Sequence, residues 1–397
     1  MRTALVASML LLLPCCGSDR SPEPPGDGTE ETGSKDAQPV DPRNPDGASP
    51  LCSSDLGDPS VATIDGEVEE GAFAALAQGP DGDLWIAYGD LGSDRLLFAL
   101  GGDGGWAVEE IAAGAVDLGG WFGRSIDVAP DPDGRPCVAF FHQGAMDLRL
   151  ACRAGPSDWV VEVVDGAATA GKDVAMAVDA SIHLVYLDFL EGDLRHARGV
   201  PGAWETRILD DEGYVGNDPS IALAGDGTVH LAYYSCGALG MDGCSDGALR
   251  YGRLVDGDFS FEVIDDAGDT GWYSSIALGS DGTVHVAYQS HSEGLLRYAF
   301  GGPGAWTLET VDDGGAAGEY ASLVLAGNRV LIASRDGEAD ALELAERAGP
   351  DAWTLTTVDT GDAGAYASLL LSDDCSLACA HNAGPTGALR LARWPAR

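Results

Sequence analysis

The 397-residue chain predicts an all-β fold, a seven-bladed β-propeller of four-stranded blades closed by an N-terminal strand, and three observations carry that expectation. A Ser-Ile-Ala-Leu-like segment starts at Ala75, Ser125, Ala175, Ser220, Ser275, Ser322 and Ser368, a period of roughly 45 to 55 residues, which is the length of a propeller blade. Each unit then contains four short β-rich runs, A to D, separated by Gly, Asp and Asn turns. No run of useful length after the first residues has helical periodicity.

The chain opens with Arg2, an apolar stretch from Ala4 to Pro14 too short to span a bilayer, and then Cys15-Cys16-Gly17-Ser18. These eighteen residues resemble a bacterial lipoprotein signal peptide, in which cleavage precedes a cysteine that is then lipidated. Residues 1–16 are read as that signal. Cys16 is the expected acceptor, because it places Leu13 three residues upstream of the cut. Cys15 just before the cut departs from the usual small residue, and leaves Cys15 itself or simple secretion as alternatives. The resemblance implies a lipid-anchored protein of the cell envelope, at the outer membrane, that meets the membrane only through its N-terminal lipid. Residues 17–54 mix Pro, Gly, Ser, Asp and Glu with almost no large apolar side chain, so they cannot offset the entropy of ordering and read as a tether. The propeller occupies 55–397.

Within a unit, strands A and B are joined by tight turns such as Gly225-Asp226-Gly227 and Ser280-Asp281-Gly282, whose residues accept hairpin dihedrals. Strand C carries Leu-Arg at 148–149, 194–195, 249–250, 296–297 and 389–390, and strand D opens with Trp106, Trp159, Trp204, Trp306 or Trp353. The last unit ends after strand C, whereas Ser60 to Gly66 is an orphan resembling the end of a strand D. It is expected to complete the last blade and to remove an exposed edge. That closure would bring Cys52 to Cys375 or Cys379. A bridge between Cys236 and Cys244 would brace the long B–C loop of the fourth unit.

The formal charge of −42, from 64 acidic against 22 basic residues, argues against nucleic acid, which needs a basic footprint. His183, His230 and His285 occupy one position of strand B in consecutive units, but equivalent atoms on adjacent sheets lie about 10 Å apart, too far for shared metal ligation. The strand C arginines are expected to pair with Glu109, Glu162, Glu262 and Glu309 of the neighbouring strand D, a pattern broken by Arg207 in the third unit and by Thr356 with Glu343 in the sixth.

The candidate site lies in the D–A and B–C loops, which emerge on one face of a propeller. Trp121, Phe122, Tyr214, Asp218, Trp272, Tyr273, Glu319, Tyr320 and Tyr366 are its candidate ligand-binding residues, because rings stack on sugars and acids accept hydroxyl hydrogen bonds. Asp265, Asp266, Asp269, Asp312 and Asp313 are candidates for calcium, a hard cation that takes oxygen ligands. No cofactor is required by this reading.

The repeated Ser-Asp-Gly-Thr-Val-His-Val-Ala-Tyr (280–288) and Gly-Ala-Trp-Thr-Leu-Glu-Thr-Val-Asp (304–312) blocks resemble secreted bacterial propellers of the BNR or Asp-box group, which includes the sialidases. The resemblance covers about Ser60 to Arg397 and speaks to fold. The Asp-box spacing is absent, and no copy supplies the arginine triad with a Tyr-Glu nucleophile. The functional expectation is a monomeric, non-catalytic binding or scaffolding module for a glycan, cation or protein, with a carbohydrate-active enzyme, hydrolase or lyase, as the alternative.

Overall fold

The structure is a computed structural model that describes residues 52, 56–68, 71–102, 104–113, 125–167, 169–237, 244 and 246–395. The expected signal, Cys16, all of the tether except Cys52, and Trp121 and Phe122 lie outside the described residues. None of the described residues forms a helix long and apolar enough to cross a membrane.

Twenty-eight strands form seven four-stranded antiparallel sheets. Blade 5 shows the plan, with strand A at Thr270–Leu278, B at Val284–Ser290, C at Leu295–Gly302 and D at Ala305–Asp312, hydrogen-bonded in that order. Blades 1 to 7 begin with A strands at Gly71–Gln78, Ile126–Pro130, Ala170–Val178, Tyr214–Leu223, Thr270–Leu278, Glu319–Ala326 and Ala363–Leu371. The outermost strand of blade 7 is Ser60–Asp65, which pairs antiparallel with Ala388–Trp394 in the register Ser60 to Arg393 and Thr63 to Arg390. The two ends of the described chain thus share one sheet.

No blade has a core of its own, since a sheet four strands wide must cover both faces with its neighbours. Ala277, Ala287, Leu296 and Tyr298 of blade 5 form one buried cluster with Leu323, Leu325, Val330 and Ile332 of blade 6. Near the axis the A strands are tied by side-chain to backbone hydrogen bonds. The hydroxyls of Ser220, Ser275, Ser322 and Ser368 accept from the N–H of Ile276, Leu323, Leu369 and Leu76 in the following blades, at 2.9 to 3.0 Å. Asp127 Oδ2 accepts from Met176 N at 2.7 Å in the same way. The second repeat therefore aligns two residues later than the Ser125 start implies. The pairing of Asp127 with Ala139, matching that of Ser275 with Ala287, fixes it.

The expected pairing of strand C arginines with strand D glutamates inside a blade is not what forms. Arg297 faces Thr310 and Glu309 faces Tyr298, so the two side chains leave the sheet on opposite sides. The arginines instead reach the aspartate ending the preceding blade's strand D. Arg195 meets Asp165 at 3.0 Å, Arg250 meets Asp210 at 2.7 Å, Arg297 meets Asp265 at 3.7 Å and Arg390 meets Asp359 at 3.0 Å. A strand B hydroxyl holds the same carboxylates, from Tyr186 to Asp165, Tyr233 to Asp210 and Tyr288 to Asp265, at 2.7 to 2.8 Å, and Tyr88 holds Asp65 across the 7–1 junction at 2.7 Å. At the 1–2 junction Ala112 and Phe140 occupy the Asp and Tyr positions, and Arg149 turns to Asp147 of its own strand.

Cys52 is bonded to Cys375, spanning 323 residues, and Cys236 to Cys244. A third bridge joins Cys137 to Cys152, directly opposed in strands B and C of blade 2, a pairing the sequence reading did not make.

Two stability outcomes follow. Cys52→Ser lowers unfolding stability by about 2–4 kcal/mol, read as a lower denaturant midpoint. Tyr288→Phe, which strips a hydrogen bond from the buried Asp265 carboxylate, costs about 1.5–3 kcal/mol in the same measurement.

Candidate functional site

The D–A and B–C loop face is organised by a backbone irregularity repeated at the start of the A strands. Pairing with strand B shifts register between Trp272 and Ser275, and equivalent shifts occur in blades 1, 3, 4, 6 and 7. The residue at the bulge has left-handed φ in each: Phe73 at 60°, Asp173 at 51°, Asp218 at 45°, Tyr273 at 53°, Tyr320 at 55° and Tyr366 at 54°. Such values are strained for non-glycine residues. A glycine stands two positions before each of them. At Gly271, with φ of 103°, a Cβ would lie 2.8 Å from Leu249 Cα of the preceding blade, so only glycine admits the approach. The bulge turns the second residue after the glycine toward the axis.

The result is a collar around the axis with two unlike arcs. Blades 5, 6, 7 and 1 contribute Tyr273, Tyr320, Tyr366 and Phe73, whose ring centroids follow one another at 4.7, 4.5 and 4.8 Å. Blades 3 and 4 contribute Asp173 and Asp218, both buried. Asp218 Oδ2 accepts from Tyr273 N at 3.0 Å, joining the acidic arc to the aromatic one. The three tyrosines remain partly exposed, and their phenols are hydrogen-bonded in series, Tyr366 donating to Tyr320 and Tyr320 to Tyr273. Burial first, then the Asp218 carboxylate, pushes the Tyr273 phenol far up; burial, then Tyr273 and Glu319, does the same to Tyr320. Both stay protonated at any physiological pH and offer hydroxyls, not phenolates.

Below the collar the axis is nearly filled. Ala75, Asp127, Ser220, Ser275, Ser322 and Ser368 are among the residues around a cavity of about 30 Å³, room for one or two waters.

Of the sequence candidates, Asp218, Tyr273, Tyr320 and Tyr366 come together here. Trp272 and Glu319 are the middle residues of their Gly-x-Tyr triplets and point away. The Trp272 indole lies 4.8 Å from the Tyr234 ring and donates to Asp269 Oδ1 at 3.0 Å, extending the aromatic surface outward. Glu319 pairs with Arg335 at 2.7 Å. Tyr214 stands apart, edge-on to Phe189. Sequence reasoning missed Phe73 and Asp173, and the glycine two residues upstream was the signal that would have found them.

The calcium candidates do not gather. Asp265 is occupied by Tyr288 and Arg297, and Asp269 by the Tyr234 hydroxyl and the Trp272 indole. Asp266 and Asp313 are exposed. Asp312 alone joins other carboxylates: Ser334 and Glu343 stand where other blades have Tyr and Arg, and oxygens of Asp312, Asp336 and Glu343 lie within 4.8 Å of one another. Burial, then the neighbouring acids, raises both Asp312 and Glu343.

The strand B histidines are bound within their own blades, His230 to the Tyr251 hydroxyl at 2.7 Å and His285 to that of Tyr298. Burial pushes each imidazole down to about 4.

No protein-family model matches the sequence, and no curated protein matches it. Solved structures do share its fold. Virginiamycin B lyase from Staphylococcus aureus aligns over 85% of this chain and 100% of its own at 10% identity, TM-score 0.56. An ulvan lyase of polysaccharide lyase family PL25 aligns over 85% of this chain and 94% of its own at 12% identity, TM-score 0.56. The NanB sialidase from Streptococcus pneumoniae aligns over 86% of this chain and 71% of its own at 10% identity, TM-score 0.47. At these identities the first two likenesses speak for the propeller fold alone.

The depressed histidines give a pH dependence. Unfolded imidazoles take up protons below about pH 6.5 whereas the buried ones wait until about pH 4, so stability is flat above pH 6.5 and falls as pH drops through this window, by up to about 1.4 kcal/mol per pH unit for each group. Denaturant midpoints at pH 7, 5.5 and 4.5 check this, and H285Q should reduce the slope by one proton's worth.

Proposed function

We propose that this protein is a non-catalytic binding module of the bacterial cell envelope, tethered through a lipid at Cys16, whose propeller presents the axial collar to a glycan. The observation that carries the reading is the division of the collar into a contiguous aromatic arc, Tyr273, Tyr320, Tyr366 and Phe73, and an acidic arc, Asp173 and Asp218. The partly exposed rings of Tyr273, Tyr320 and Tyr366 stack on the apolar faces of a sugar and their protonated phenols donate to its oxygens, while the buried Phe73, Asp173 and Asp218 support them from behind. Trp272, packed on the buried Tyr234 ring, lengthens the platform outward, which suits an extended ligand.

The alternative, a sialidase-like hydrolase or polysaccharide lyase acting at the same collar, draws on its single asymmetric cluster of acids and phenols. A general base works best with a pKa near the operating pH, and phenols pushed far above it are poor bases. That favours binding over proton abstraction.

Glycan-array binding and turnover assays on the same panel test the reading. Tyr320→Ala should weaken binding of an array-positive glycan by about 1–2 kcal/mol, roughly five- to thirtyfold, measured by calorimetry. Cleavage of any panel member would overturn the non-catalytic reading, and unchanged affinity in the variant would move the site off the collar. Loss of membrane partitioning in Cys16→Ala checks the anchor.

A further inference from the structure

On the outer rim four junctions carry a second repeated contact, and the 3–4 junction is among those that lack it. A strand D glutamate accepts the indole N–H of the tryptophan that opens the next blade's strand D: Trp159 to Glu109 at 3.2 Å, Trp204 to Glu162 at 2.8 Å, Trp306 to Glu262 at 2.8 Å and Trp353 to Glu309 at 3.2 Å. The indole also packs edge-on against a ring in the preceding blade's strand C, with Trp159 on Phe98, Trp306 on Tyr251 and Trp353 on Tyr298. Between blades 3 and 4 every partner changes. Arg207 takes the glutamate position, His196 opposite it takes the ring position, and Phe259 replaces the tryptophan. The Phe259 ring lies over its own blade, where a Cβ on Gly252 would meet its Cζ at 2.7 Å.

The volume left is a cavity of about 610 Å³, well within the range of small-ligand sites. His183 and His196 line it and are 3% and 2% exposed. Their rings are joined between His183 Nδ1 and His196 Nε2 at 3.2 Å. His196 Nδ1 has no hydrogen-bond partner, and His183 Nε2 has only Asp179 Oδ1 nearby, at 3.4 Å. The pair forms a buried floor whose outer nitrogens are closed to solvent. Arg198 and Arg207 line the same cavity. Among the described residues neither makes an ion pair, in a chain with 64 acids for 22 bases; Arg207 donates only to Gly257 O, at 2.9 Å. After burial, their charges are among the causes that hold the two imidazoles low, so both guanidinium groups bear on the floor of the cavity. Glu205, Asp226 and Asp256 sit on the exposed lip.

We propose that this cavity is a second binding site, distinct from the collar, for a hydroxylated carboxylate such as a sugar acid or a uronate residue of a polysaccharide. The carboxylate is held by Arg207 and Arg198, over a floor formed by the His183–His196 pair. A metal ion is disfavoured, because among the described residues no carboxylate or thiol joins both imidazoles in a ligating group.

Calorimetry on the full-length protein with glucuronate, a glucuronate-containing oligosaccharide and glucose tests it. Glucuronate or its oligomer should bind at least about tenfold more tightly than glucose, and the tighter of the two tells a free acid from a polymer residue. R207Q should lose about tenfold or more with melting temperature unchanged. The double variant R207E/F259W rebuilds the latch of the four junctions that have it, fills the cavity and should abolish binding without lowering the melting temperature. Tyr320→Ala should leave glucuronate binding intact. Absence of glucuronate binding, equal binding of glucose, full binding by R207Q, or loss of binding in Tyr320→Ala would each overturn the proposal.

Discussion

The buried carboxylate at the end of an outer strand is the contact on which the ring depends. Asp165, Asp210 and Asp265 are each gripped by a tyrosine and an arginine of the next blade, and Asp359 by His381 and Arg390. An ionised group out of water is tolerated only with such partners, so each strand D end is fixed relative to the following sheet. The wedge between adjacent blades is set there at the rim and by the serine hydroxyls at the axis. The apolar clusters supply most of the burial, but they are non-directional. The polar contacts set the angle that lets seven blades close.

The same scheme explains where the ring is irregular. At the 5–6 junction tyrosine and arginine become Ser334 and Glu343, and Asp312 faces other acids. At the 3–4 junction the glutamate and tryptophan of the rim latch become Arg207 and Phe259, and a cavity opens. A propeller tolerates such exchanges because its other junctions continue to hold the ring. Departures from the repeat are therefore where this chain has room for chemistry that its mechanical parts do not need.

Much of the fold was legible in the sequence because a repeat is read by comparison. The period, the turn residues and the alternating runs recur often enough to define four strands and seven blades, and the orphan Ser60 to Gly66 was recognisable as a strand D end. The arginine pairing was misread for a specific reason. Neighbouring positions in strands C and D were taken as partners, but whether two side chains share a face depends on register, and each C–D ladder contains a shift such as that between Leu296 and Arg297. The collar was half legible: Asp218, Tyr273, Tyr320 and Tyr366 were marked as loop aromatics and acids, whereas Phe73 and Asp173 passed unnoticed in apolar or charged surroundings.

The sequence by itself determined the blade plan and blade number, because strand period, turn chemistry and glycine placement are local and are repeated in the chain. It also contained the Gly-x-Tyr, Gly-x-Phe and Gly-x-Asp triplets that form the collar. Only the tertiary structure decided what those triplets make together, since residues about 50 positions apart meet at the axis through a bulge that reverses where each side chain points. It alone showed that Arg207, read in sequence as a broken repeat, stands with His183 and His196 around an open cavity. The reason is physical: a repeat specifies the contacts that blades share, while a site arises between blades, where unlike residues from different repeats are brought within a few ångströms.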